Sequence, residues 1–103
     1  YKLKNIIIGV CNYTHINNIE CRLGYSVAEH YQGSGIMYQT LLKTNIYMFN
    51  NYNINQIISG IMPKNKRSIR LIKRLNFQST GNFRELAVNG KKENIEIFSL
   101  LRK

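Results

Sequence analysis

The stretch Tyr31-Gln32-Gly33-Ser34-Gly35-Ile36-Met37 decides the fold of this 103-residue chain, because it joins a strand-like segment to a helix-like one. The segment before it, Leu23–Ala28, is typical of a strand. Apolar residues after it recur at helical spacing, at Met37, Leu41, Ile46 and Phe49. The glycines fall where a helix begins, where four backbone N–H groups have no partner and the helix dipole is positive. Such a turn can bind a phosphate group.

Two other phosphate loops do not fit these residues. A dinucleotide fingerprint requires a third glycine where Tyr38 stands, and a P-loop requires a Gly-Lys-Ser/Thr ending that is absent. The two glycines can also be explained as a plain turn between strand and helix, which uses glycine for its freedom in φ. Both interpretations stay open on these residues alone.

A second segment, Ile57–Phe77, places Asn65 and Ser68 between a strand and a helix that ends in Leu75-Asn76-Phe77. With these motifs in this order the chain resembles the GNAT acetyltransferases, and more narrowly the ribosomal-protein alanine N-acetyltransferases of the RimJ/RimL type. The resemblance covers nearly the whole chain. The family's Leu-Gly-Phe ending becomes Leu-Asn-Phe here, a mild departure because asparagine tolerates the left-handed conformation at a helix end.

The resemblance implies a role for each motif residue in binding acetyl-CoA, the cosubstrate of the family. The backbone of Ser26, Val27 and Ala28 would lie along the pantetheine arm and supply an N–H for the oxyanion. The turn would hold the pyrophosphate through Gln32, Gly33, Ser34, Gly35, Ile36 and Met37. Asn65 would fix a pantetheine amide, and Ser68 would hydrogen-bond the departing thiolate. Asn65 can equally serve as a helix N-cap, and Ser68 can bond local backbone.

The sequence places no general base securely. Gly60 stands where some family members carry a glutamate, and Gln39 replaces a glutamate usual in the first helix. Glu20, Glu29 and Glu85 are candidates only through a water molecule, and each is also explained as a surface charge. An α-amino acceptor, with a pKa of about 7.7 to 8.0, needs less assistance from a general base than a lysine side chain with a pKa of about 10.4. This favours the N-terminal amine of a ribosomal protein, as the resemblance implies.

The predicted fold is a single mixed α/β (α+β) domain over residues 1–103, with a parallel strand pair at the cofactor cleft, two helices and a C-terminal hairpin. Parallel neighbours joined by a right-handed crossover would put Ser26 to Ala28 beside Ser59 to Met62. Turns are predicted at Asn17-Asn18 and Asn89-Gly90. The predicted strands are Ile6–Thr14, Glu20–Ala28, Gln56–Met62, Gln78–Val88 and Ile95–Leu101, and the predicted helices are Gly35–Asn50 and Ser68–Leu75.

Composition narrows the functional classes. The net charge of +10 favours an anionic partner, although a coding bias toward lysine, asparagine and isoleucine would also produce it. No apolar run approaches the ~20 residues of a membrane span and no signal segment opens the chain, so we expect a cytoplasmic protein without a membrane partner. Cys11 and Cys21 suit reduced thiols, and their spacing with His15 and His30 indicates no zinc site.

Family members normally carry a strand, two helices and a further strand before the Ile-Ile-Gly element, and these are missing here. We therefore expect a C-terminal fragment, a split gene product or a shortened chain that retains coenzyme binding. One alternative function is a non-catalytic remnant that associates with the ribosome or RNA through its basic surface. The other is a GNAT enzyme that acts on a small amine.

Overall fold

Five of the strands form one mixed sheet, and two short strands form a separate hairpin. The computed structural model of the chain describes residues 2–3, 6–7, 9–27 and 35–102. The elements are β1 (Lys2–Leu3), β2 (Ile6–Ile7), β3 (Gly9–His15), β4 (Glu20–Val27), α1 (Ile36–Asn51), β5 (Gln56–Ile61), α2 (Lys66–Arg74), β6 (Gln78–Val88) and β7 (Lys91–Leu101). The order of the large sheet is β3-β4-β5-β7-β6, and β1 pairs with β2.

The mixed α/β class, the parallel pair, the two helices and the C-terminal hairpin are confirmed. Strands β4 and β5 are parallel, and β7 inserts antiparallel between β5 and β6, which the sequence did not indicate. Strand β7 begins at Lys91 rather than at Ile95. Its first residues are polar, so they lack the apolar alternation used to predict strands, although their backbone pairs with β6. Asn89 and Gly90 have φ of 53° and 77°, as a type I′ hairpin turn requires.

The parallel pair is short and then opens. Its ladder joins Glu20 to Gln56, Cys21 to Ile57 and Arg22 to Ile58, and among the described residues it goes no further. Beyond that point β4 stays paired with β3 as far as Val27, and β5 stays paired with β7 as far as Ile61. The predicted register, with Ser26 to Ala28 beside Ser59 to Met62, is therefore wrong for the described residues, since Ser59 lies opposite Leu23. Strand β4 thus stays paired with β3 and strand β5 with β7, but β4 and β5 no longer pair with each other. Their carboxyl ends therefore leave a gap between them.

Helix α1 packs one face against the core, and that face includes three of the four residues that apolar spacing predicted; Ile46 is the exception. Met37, Leu41 and Met48 are buried, whereas Ile46 is 55% exposed. The preceding residue, Asn45, is buried instead. Its side-chain oxygen accepts a 2.6 Å hydrogen bond from the Tyr13 hydroxyl of β3. A buried amide is tolerated because it is hydrogen-bonded. Neither α1 nor any other helix of the described residues is long and apolar enough to cross a membrane.

Helix α2 starts and stops through local hydrogen bonds. The Asn65 side chain accepts a hydrogen bond from the Ser68 N–H at 3.2 Å, so the helix begins at Lys66, two residues before the predicted start. At its other end Asn76 has a φ of 72°, as expected from the Leu-Asn-Phe sequence. The Phe77 N–H donates to the Ile72 carbonyl at 3.1 Å, which completes a Schellman cap. Residues of both helices join the sheet in one apolar core.

Candidate functional site

The candidate site lies where the carboxyl ends of β4 and β5 separate. Helix α1 follows β4 in the chain and α2 follows β5, so each opened strand leads to a helix N-terminus. Helix N-termini carry partial positive charge, and ligands of parallel sheets commonly bind outside the carboxyl ends of the strands. Neither helix has an acidic residue in its first turn to neutralise that charge. The site therefore favours an anionic ligand.

The inner edge of β4 presents backbone groups to the gap. The Ser59 hydroxyl of β5 donates to the Leu23 carbonyl at 3.2 Å, so the backbone groups of Leu23 face β5. Backbone direction alternates along a strand, so those of Val27, four residues on, face the same side. The groups of Ser26 then face β3, where its ladder partner is Val10. Of the predicted backbone contacts within the described residues, the N–H of Val27 is the one that faces the gap.

Gly35 starts helix α1 in a conformation that requires glycine. Its φ is 85°, in the left-handed region, and a Cβ added to it would meet no atom of the described residues within 4 Å. Glycine is therefore needed for the backbone, and the described part of the chain leaves open space in front of it. Ile36 and Met37 form the first turn, with Met37 buried beneath it. This arrangement fits the predicted phosphate turn at its helical end.

Arg74 adds a cation beside that first turn. Its guanidinium lies 4.0 Å from the centroid of the Tyr38 ring, so the end of α2 is held against the start of α1. A cation over an aromatic face is attracted by the ring quadrupole. The sequence shows Arg74 only as one of several basic residues on α2, and nothing in its spacing points to Tyr38.

Ser68 is linked across the gap to Tyr25. Their hydroxyl oxygens are 2.8 Å apart, and Tyr25 belongs to the opened part of β4. Burial raises the pKa of the Tyr25 phenol, while the hydrogen bond with Ser68 lowers it by a smaller amount. Tyr25 therefore stays protonated at neutral pH. Sequence reasoning missed this residue, although its position two residues after Leu23 already places it on the core face of the strand.

The two candidate carboxylates among the described residues lie away from the gap. Glu20 is at the opposite end of β4, where it accepts hydrogen bonds from Asn17 and Gln56. Glu85 is an exposed residue of the hairpin that pairs with Lys92 at 3.5 Å. A Cβ at Gly60 would come within 2.7 Å of Ile95, so a glutamate there would require Ile95 to move. Among the described residues, the site therefore has no carboxylate in place as a general base.

Part of the predicted site lies outside the described residues. This applies to Ala28, Gln32, Gly33 and Ser34, and also to Glu29 and His30. Their roles stay predictions.

Cys11 and Cys21 are free thiols, and burial raises the pKa of Cys21. Within ranges 9–27 and 35–102 no cluster of His, Cys, Asp and Glu could hold a metal ion.

Solved structures share this architecture. The ribosomal-protein-S5-alanine acetyltransferase from Vibrio fischeri superposes with a TM-score of 0.86 at 29% identity, over 95% of this chain and 56% of that one. A ribosomal L7/L12 alpha-N-protein acetyltransferase in complex with coenzyme A superposes with a TM-score of 0.83 at 24% identity, over 95% of this chain and 57% of that one. The chain therefore has the fold of these acetyltransferases.

Comparison of the sequence with known proteins leads to the same assignment as comparison of the structures. The family model described as an acetyltransferase (GNAT) domain matches residues 2–78, and the chain belongs to this family. The [ribosomal protein uS5]-alanine N-acetyltransferase of Escherichia coli (strain K12) is 36% identical over 89 residues, which are 82% of this chain and 46% of that protein. The chain spans about half the length of the curated relatives it matches.

Proposed function

We propose that this chain binds acetyl-CoA in the gap between β4 and β5 and takes part in transferring the acetyl group to the N-terminal α-amine of a ribosomal protein. The observation that carries the proposal is the early end of the parallel ladder, which leaves the β4 backbone unpaired between two helix N-termini. An extended pantetheine arm can add to such an edge as a strand would. The names of the relatives support a ribosomal acceptor.

The fit to coenzyme A is supported at three points. The open space at Gly35 leaves room for a diphosphate against the backbone, and Arg74 adds positive charge there. The Asn65 side-chain oxygen caps α2, which leaves its N–H₂ group to donate to a pantetheine carbonyl. The Val27 N–H is aimed toward the place where the thioester carbonyl would lie, as the direction of Leu23 indicates.

The chemistry follows from these positions. The acceptor amine attacks the thioester carbon, and the Val27 N–H stabilises the oxyanion, a contribution of about 3 kcal/mol for a preorganised donor. The carbon–sulfur bond then breaks, and the electron pair leaves with the sulfur. The Ser68 hydroxyl is placed to donate a hydrogen bond to that thiolate. The amine releases its proton to solvent.

The absence of a carboxylate from the described site favours an α-amine over lysine as the acceptor. At pH 7 roughly one α-amino group in ten is neutral, against fewer than about one lysine side chain in a thousand. Without a strong base to remove a proton, the site depends on an acceptor whose amine is already partly neutral at pH 7, which is the α-amine. This pKa argument favours a protein N-terminus and gives no support to the alternative of a small-amine substrate.

The test is acetylation of matched peptides followed by mass spectrometry. One peptide carries a free N-terminal alanine and no lysine, and the other has a blocked N-terminus and one internal lysine. We expect one acetyl group on the first peptide and none on the second. Calorimetry with acetyl-CoA gives a second readout that needs no acceptor. Failure to bind acetyl-CoA would overturn the proposal, and acetylation of the lysine peptide alone would overturn the acceptor class.

The non-catalytic alternative rests on the basic residues of α2. Filter binding to RNA over a series of salt concentrations tests it, because phosphate contacts give a steep loss of affinity with salt. Tight RNA binding without acetyl-CoA binding would favour this alternative. The residues concerned are Lys66, Arg67, Arg70, Lys73 and Arg74.

A further inference from the structure

The hydrogen bond between Tyr25 and Ser68 joins the two walls of the gap. Tyr25 lies on β4 and Ser68 in the first turn of α2, 43 residues later, and their hydroxyl oxygens are 2.8 Å apart. The phenol ring packs against the apolar core, so the hydroxyl has little freedom to move. The Ser68 N–H already donates to Asn65 at 3.2 Å. Ser68 is thus held from two sides.

The direction of the hydrogen bond follows from acidity. A phenol, with an ordinary pKa of about 10, is a stronger donor than an aliphatic hydroxyl. The favoured arrangement has Tyr25 donating to the Ser68 hydroxyl oxygen at 2.8 Å, which is closer to the phenol than the Ser68 backbone carbonyl at 3.5 Å. The Ser68 proton is then free to donate to a further acceptor.

We propose that Tyr25 is a positioning residue for acetyl transfer, which directs the Ser68 hydroxyl at the sulfur of coenzyme A as the thioester breaks. This inference rests on the proposed function. Tyr25 acts through Ser68 and does not itself touch the coenzyme. It transfers no proton, because burial raises the pKa of its phenol above the ordinary value of about 10 and makes it a weaker acid than the thiol. The sulfur leaves as a thiolate, stabilised by the Ser68 hydrogen bond.

The chain contains a matched control for this tyrosine. Tyr13 also lies half-buried on a strand, and its hydroxyl is 2.8 Å from the Thr44 hydroxyl and donates to the Asn45 side chain at 2.6 Å. Both partners belong to α1, about two turns beyond the phosphate turn. Tyr13→Phe and Tyr25→Phe each remove one hydroxyl and keep the ring. Because Tyr13→Phe also removes the partner of a buried amide, a purely structural role predicts that it affects activity at least as much as Tyr25→Phe.

The experiment compares the kinetics of the Tyr25→Phe, Tyr13→Phe, Ser68→Ala, Ser68→Thr and Tyr25→Phe/Ser68→Ala variants with those of the unchanged protein. We expect Tyr25→Phe to lower kcat about tenfold with little change in KM for acetyl-CoA, and Tyr13→Phe to leave kcat unchanged. The double variant should be no slower than Ser68→Ala, and Ser68→Thr should retain activity. Equal kcat values for the two tyrosine variants, or additive losses in the double variant, would overturn the proposal.

A binding readout separates this inference from the proposed function. Calorimetry at pH 9, where more of the thiol is ionised than at neutral pH, compares CoA with desulfo-CoA, which lacks the sulfur. We expect the unchanged protein to prefer CoA about threefold to tenfold, and Tyr25→Phe to lose most of that preference. Failure of the unchanged protein to bind CoA overturns both proposals. CoA binding with a preference that Tyr25→Phe leaves intact overturns only the role of Tyr25.

Discussion

The two ends of the β4–β5 pair differ in how completely their polar groups are used. At the amino end a chain of side-chain hydrogen bonds runs from Ser99 through Gln56 to Glu20 and on to Asn17. At the carboxyl end the ladder has stopped, and the side-chain links across the opening are those of Ser59 and of the Tyr25 hydroxyl. A satisfied end stabilises the fold, whereas an end with unpaired backbone can bind a ligand.

The amino end also has a cleft, which shows that concavity alone does not locate the site. An open cleft of about 430 Å³ lies there, lined in part by His15, Tyr52 and Asn53. None of the predicted site residues lines it. Arg102 holds this region through hydrogen bonds to the carbonyls of Tyr52 and Ile54, each at 2.7 Å. We therefore assign this end to stability and the other to binding.

The largest expected effect comes from filling the space at the phosphate turn. Gly35→Leu should weaken acetyl-CoA binding by at least about a hundredfold, because the side chain would occupy the space proposed for the diphosphate. Gly81→Leu is the matched control, since Gly81 also has a positive φ, of 79°, and no neighbours within 4 Å of an added Cβ. Both substitutions should cost about 1–2 kcal/mol in stability. Equal affinities of the two variants by calorimetry would contradict the assignment of the turn.

A second prediction concerns the hydroxyl at the point where the strands separate. Ser59 is 2% exposed, so Ser59→Ala should leave the Leu23 carbonyl without this donor and lower the free energy of unfolding by about 1–3 kcal/mol. We also expect severalfold weaker acetyl-CoA binding, because the opening would lose its fixed width. The control is Ser99→Ala at the amino end, where stability should fall by less and affinity should hold. Urea denaturation and calorimetry measure the two effects, and unchanged affinity in Ser59→Ala would argue against this role.

A third, smaller effect separates the two roles of Asn65. Asp caps helices as well as Asn does, so Asn65→Asp should preserve the melting temperature while removing the N–H₂ donor. We expect acetyl-CoA affinity to fall by about tenfold. Asn65→Ala should lower both quantities, with a stability loss of about 0.5–2 kcal/mol. If Asn65→Asp bound acetyl-CoA normally, Asn65 would be a cap only.

A further prediction concerns stability in alkali, away from the site, where no effect on coenzyme binding is expected. Burial raises the pKa of Tyr13 to about 12, against 10.0 for an exposed tyrosine. The unfolded chain therefore loses this proton first, and the stability that the neutral phenol contributes is present below pH 10 and lost between about pH 10 and 12. Tyr13→Phe should flatten that part of the stability profile in urea denaturation. A profile unchanged by the substitution would show that other groups cause the alkaline loss.

The local features were predictable because each depends on residues a few positions apart. The Asn65 cap, the left-handed Asn76 and the Asn89-Gly90 turn follow from the conformational preferences of asparagine and glycine. The start of α1 at Gly35 follows in the same way. Exposed Ile46 was the exception, because apolar spacing cannot show that Tyr13 supplies a partner for buried Asn45.

The sequence by itself determined the order of strand, turn and helix, the parallel pair and the family motifs, because period, glycine position and capping chemistry are properties of short segments. Only the tertiary structure decided where the β4–β5 ladder ends, that β7 lies between β5 and β6, and that Tyr25 meets Ser68. Those features bring together residues far apart in the chain, and their free energies depend on packing and shared hydrogen bonds. No short stretch of sequence contains that information.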